Sequence, residues 1–137
     1  MTSEYAHRFP DRPTAHDALG ISVVELSPER CVLECEVGPK THQPFGLLHG
    51  GVSALMVEGA ASMGGIVSVP EDQVCVGTEL NISHLRPISS GVLTATATPI
   101  RRGRTVHVWA IEMTDERGRL ISIARCSLQV ISAPSPD

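Results

Sequence analysis

Residues 51–68 read GVSALMVEGAASMGGIVS, and nowhere else does the chain offer a long helix. Small and apolar residues fall around nearly the whole helical circumference, which predicts a helix buried on most sides. Pro70 stops it. A small chain with one such helix must wrap the rest of itself around it. Inside the run stands a single ionisable group, Glu58. An isolated carboxylate there is costly unless it is paired, hydrogen-bonded or protonated. Its helical neighbours Ala54, Leu55, Ala61 and Ser62 form no polar stripe, so an exposed position is disfavoured, and Ser62 offers an i+4 hydrogen bond. The run is long enough to suggest a membrane span, but four glycines, three serines and Glu58 within residues 51–69 argue against one.

The remaining chain reads mostly as strands. A polar, proline-bearing arm (1–13) precedes a short helix at 13–19 closed by Gly20. Strands are predicted at 21–26 and 30–37, then at 74–85, 92–100, 105–113 and 120–131. The loop GPKTHQPFG precedes the helix, and RPISSG, RRGR and DERGR separate the later strands. The order β-β-α-β-β-β-β, with short connections between the last four strands, predicts an antiparallel meander curled around the helix, an α+β fold in one domain spanning 1–137. The ends, 1–13 and 132–137, are expected to be irregular.

Composition narrows the function. The 137 residues suffice for one real core, and aromatics make up only 3%, so aliphatic and Met side chains must fill it. A net charge of −4 argues against nucleic-acid partners. Of the basic residues only Lys40 is lysine, and Arg101, Arg102 and Arg104 cluster. Arginine is the better bidentate partner for phosphates and carboxylates. Cys31 and Cys35 would stand about 13 Å apart on one strand, too far to bridge. Buried free thiols, with no apolar leader at the N-terminus, lead to an expected cytoplasmic location. His42, His49 and His107 lack the carboxylate or Cys spacing of a metal site, so no metal is expected.

The helix start carries the chemistry. Gly50 and Gly51 permit a tight turn, and free N–H groups at a helix start can also polarise a carbonyl oxygen. His49 can hold the turn by a hydrogen bond, or orient a site. Ser62 reads equally as a packing residue or as a water-positioning one. A charged turn such as 101–104 is most often only solvated.

QPFGLLHGGVSALMVEGAAS (43–62), VGTELNISHLRP (76–87), RRGRTVHVW (101–109) and EMTDERGRLIS (112–122) together resemble, in order and spacing, the PaaI-like acyl-CoA thioesterases of the hotdog fold. They also resemble the related 4-hydroxybenzoyl-CoA and 1,4-dihydroxy-2-naphthoyl-CoA thioesterases, the latter above all. The likeness spans about residues 19–131. It implies an antiparallel sheet wrapped around the central helix and hydrolysis of an aromatic or medium-chain acyl-CoA. It implies Glu58 as nucleophile or general base, the Gly50 N–H as oxyanion donor, Gln43 as a donor to the thioester oxygen, and supporting roles for His49 and Ser62. Gly51, His84, Arg86 and the turn Gly103, Arg104 and Thr105 are implied in binding the coenzyme A portion, sometimes from a neighbouring subunit. No separate cofactor is implied, since coenzyme A belongs to the substrate. A homo-oligomer is expected, at least a dimer and by resemblance a tetramer. The rival reading is a non-catalytic acyl-CoA-binding or sensing domain.

Overall fold

The computed structural model describes residues 4–134. After a 3-10 turn at Ala6–Arg8 come α1 (Ala15–Leu19), β1 (Ser22–Leu26), β2 (Cys31–Val37), α2 (Gly50–Ile66), β3 (Gln73–His84), β4 (Gly91–Arg102), β5 (Val106–Thr114) and β6 (Leu120–Ser132). The predicted order of strands and helices is therefore present. α1 is set by a capping box, Thr14 with Asp17, and closed by Gly20 at φ 72°. The N-terminal arm is tied down more firmly than its composition suggested: Arg8 donates to the carbonyls of Val69, Pro70 and Gln73 at 3.0–3.2 Å.

All six strands form one antiparallel sheet in the order β1-β2-β4-β5-β6-β3. The expected four-strand meander is corrected here. Only β4, β5 and β6 run as a meander; β3 pairs with β6 and forms the far edge. The connection after β3 is thus a crossing between separated strands rather than a hairpin turn.

α2 lies across the sheet. Met56, Val57, Ala60, Ala61 and Gly64 are buried against Leu33, Leu93, Trp109, Ile111 and Leu128. Close packing is possible because Gly64 lacks a side chain: a methyl there would come within 2.6 Å of the Trp109 ring. Burial is narrower than the sequence predicted. The sheet covers one face of α2, and Glu58 on another face is exposed.

Candidate active site

α2 begins at the end of loop 38–48, and the loop is well anchored. His42 Nε2 pairs with the Ser89 carbonyl at 2.9 Å, and the Leu48 N–H donates to Ile88 at 2.8 Å. His49 is the N-cap of the helix, and its Nδ1 accepts the Gly51 N–H at 2.8 Å. The acceptor role of Nδ1 puts the ring proton on Nε2. This is the turn-holding role, and it occupies Gly51. The Gly50 N–H, first of the orphan donors at the helix start, has no protein acceptor among the described residues.

A cavity of about 350 Å³ opens at this point. Gln43, Gly50, Ser53, His84, Arg86 and Ser122 line it, with aliphatic walls from Leu48 and Ile121. Gln43 Oε1 accepts the Phe45 N–H, which leaves its amide NH₂ to donate. His84 closes β3 with Nε2 packed on Gly50, where a methyl would stand 2.9 Å away, while its Nδ1 meets Ser122 Oγ at 3.3 Å. Arg86 sits exposed at the rim. Ser53, in the first turn of α2, is 1% exposed, and its Oγ has no partner among the described residues. Four sequence-predicted residues, Gln43, Gly50, His84 and Arg86, are thereby gathered in one place.

Glu58 is not among them. Eight residues of helix carry it about 12 Å further along the axis. Its carboxylate lies over Gly77, at a bulge in β3 between Gly77 and Glu79, and a methyl on Gly77 would run into it. Thr78 within the bulge donates to the Ser127 carbonyl at 3.1 Å. Sequence reading missed Gly77, although a glycine inside a strand signals a bulge or a close approach. No hydrogen bond joins Glu58 to Ser62 among the described residues. Ser62 faces a separate cavity of about 940 Å³ between α2 and the N-terminal arm, alongside Phe9, His16 and Met63. Burial pushes the His16 imidazole below its ordinary range, against the opposing pull of Asp17 and the Leu55 carbonyl.

The turn Gly103, Arg104 and Thr105 lies elsewhere. Arg102, at its entry, donates to the Pro28 carbonyl at 3.0 Å and to Glu29 at 3.3 Å. Ser68, just past α2, reaches the same Pro28 carbonyl at 3.4 Å. The turn thus stands by the far end of a helix about 25 Å long. Within one chain it does not meet the cavity at Gly50.

Cys75 and His107 form the other pairing of note, at 3.7 Å and both buried. Burial raises the thiol to about 11 and, with Arg102, lowers the imidazole, which disfavours a thiolate–imidazolium pair here.

A helix-start donor beside a side-chain amide, in an open cavity under a curled sheet, suits binding of a polarised carbonyl. The family model described as "Thioesterase superfamily" matches residues 45–122, from the loop through the start of β6. The chain belongs to the thioesterase superfamily. A 1,4-dihydroxy-2-naphthoyl-CoA hydrolase of Listeria monocytogenes is 42% identical over 114 residues, covering 83% of this chain and 93% of the relative. A thioesterase of Haemophilus influenzae superposes with TM-score 0.84 at 39% identity, over 87% of this chain and 83% of that one. A Staphylococcus aureus protein superposes with TM-score 0.85 at 30% identity, over 88% of this chain and all of the other. Two structures of that protein carry alanine in place of a glutamine and of a glutamate fifteen residues further on, the spacing that separates Gln43 from Glu58 here. The six-stranded sheet around α2 is thus the hotdog fold of a thioester hydrolase.

Proposed function

We propose that this thioesterase hydrolyses an acyl-CoA, with an aromatic acyl group favoured over a medium-chain one, to the free acid and coenzyme A. The observation that carries this is the cavity at the start of α2, lined both by Gly50, whose N–H has no acceptor among the described residues, and by Gln43, whose amide is left to donate. Together they would polarise the thioester carbonyl and hold the oxyanion formed on attack. Glu58 supplies that attack, directly or through a water. The aromatic preference rests on the likeness of residues 43–62 and on the naphthoyl substrate named for the Listeria relative. The Gln and Glu substituted in the Staphylococcus relative support the same two residues here.

One chain keeps Glu58 and Gly50 apart, so a second copy completes the site. β3 is a 12-residue edge strand with one side unpaired. From Thr78 to its end at His84 none of its residues is buried, and Leu85, just beyond it, is exposed at the cavity mouth. Such an edge calls for cover. A two-fold dimer that pairs β3 with its copy brings the exposed Glu58 of each chain toward the other's helix start. The same assembly, or a tetramer built from it, carries the Gly103, Arg104 and Thr105 turn to a neighbour's cavity, where with Arg86 it would meet the phosphates of coenzyme A.

Thiol release from a panel of aroyl- and alkanoyl-CoA esters tests this. The wild type turns over aroyl-CoA, and Glu58→Gln lowers kcat by about 10²–10⁴-fold with the fold intact. No thiol from any ester would contradict hydrolysis. Tight binding without turnover would instead favour the rival binding-domain reading.

A further inference from the structure

Besides the Gly50 N–H, the first turn of α2 holds a buried side-chain hydroxyl with no partner among the described residues. Ser53 is 1% exposed, and its Oγ has no hydrogen-bond partner among the described residues. A buried hydroxyl in that state is disfavoured and needs a reason. Ser53 also lines the 350 Å³ cavity. It follows Gly50 by three positions, so the two occupy the same flank of the helix. Helical side chains lean back over the preceding turn, which directs the Ser53 hydroxyl toward the turn whose free N–H belongs to Gly50. The neighbouring hydroxyl, Ser122 Oγ, is already engaged by His84 Nδ1 at 3.3 Å.

We propose that Ser53 is a third donor at the carbonyl-binding end of the cavity, its hydroxyl donating to the acyl oxygen of the bound thioester beside the Gly50 N–H and the Gln43 amide. The identity of that oxygen rests on the thioesterase reading above. A neutral carbonyl oxygen has two lone pairs, whereas the oxyanion of the tetrahedral intermediate accepts three hydrogen bonds. A third donor therefore strengthens as charge develops, and its effect falls on kcat more than on KM. The free protein keeps the hydroxyl unpaired so that it is ready for that charge.

Ser53→Ala tests this through kinetics, stability and binding. With an aroyl-CoA the variant should lose about 10- to 100-fold in kcat, with KM within about threefold. Its thermal midpoint should equal or exceed that of the wild type, because an unpaired buried hydroxyl has been removed. S-phenacyl coenzyme A keeps a carbonyl but has a methylene between it and sulfur, so it cannot be hydrolysed there. By calorimetry it should bind Ser53→Ala about three- to tenfold more weakly than wild type, while coenzyme A itself binds both equally. Unchanged kcat and unchanged S-phenacyl coenzyme A binding would overturn the proposal while leaving the thioesterase reading in place. A lowered thermal midpoint with unchanged kcat would overturn it too, by making the hydroxyl a structural partner of the His49 carbonyl. If wild type turned over no ester and bound S-phenacyl coenzyme A no better than coenzyme A, the thioesterase reading and this proposal would fall together.

Discussion

Glu58 is exposed on α2, so solvation carries its charge. What fixes its place is Gly77, whose missing side chain leaves room for the carboxylate against the β3 bulge. Gly77→Ala is expected to displace Glu58 and cut kcat at least tenfold, while the circular dichroism spectrum stays that of the wild type. Unchanged kcat would mean that the bulge does not position Glu58. The sequence singled out Glu58 and misjudged its exposure, because helical periodicity reports what a helix could bury and not how much sheet there is to bury it. His49 and Gly50 were legible because capping chemistry and free N–H groups are local properties of a helix start, whereas Gln43 entered only through the resemblance of residues 43–62. Ser53 was not, since a lone serine in an apolar run looks like packing until its partners are counted.

At the scale of elements, the strands and both helices could be read from alternation, caps and glycines, but the strand order could not. The six-residue link 85–90 looks like a hairpin connection. It instead spans from edge strand β3 past β6 and β5 to β4, three strand spacings or roughly 14 Å, which six extended residues reach easily. On the way Ile88 accepts the Leu48 N–H at 2.8 Å, so the crossing also closes the cavity. α1 and the arm raise a different expectation. The His16 imidazole packs against Gly59 of α2 and titrates below its ordinary 6.5 because it is desolvated. Near pH 6 the unfolded chain therefore binds more protons than the folded one, so this contribution is present above pH 6.5 and lost as pH falls through the lowered value. Asp17 on α1, with Asp11 and Arg12 on the arm, are the charged groups around the same cavity. Urea unfolding at pH 5.5 and 7.5 should show His16→Asn losing less stability on acidification than wild type; an identical loss would remove His16 as the source.

For the whole molecule, the fold keeps Glu58 about two helical turns from Gly50 and leaves β3 as an edge strand. The turn at 103–105 stands at the opposite end of α2 from Arg86. Neither separation was visible in the sequence, because both depend on how a second copy meets the first. Both are explained if catalysis belongs to the dimer rather than the chain. Mixing two inactive variants tests this most directly. Gln43→Ala and Glu58→Ala, each at least 100-fold impaired alone, are unfolded together and refolded as a 1:1 mixture, and thiol release from an aroyl-CoA is measured. If each site draws Gln43 from one chain and Glu58 from the other, random pairing restores about one quarter of wild-type activity. A mixture no more active than the mean of its two components would contradict the shared site.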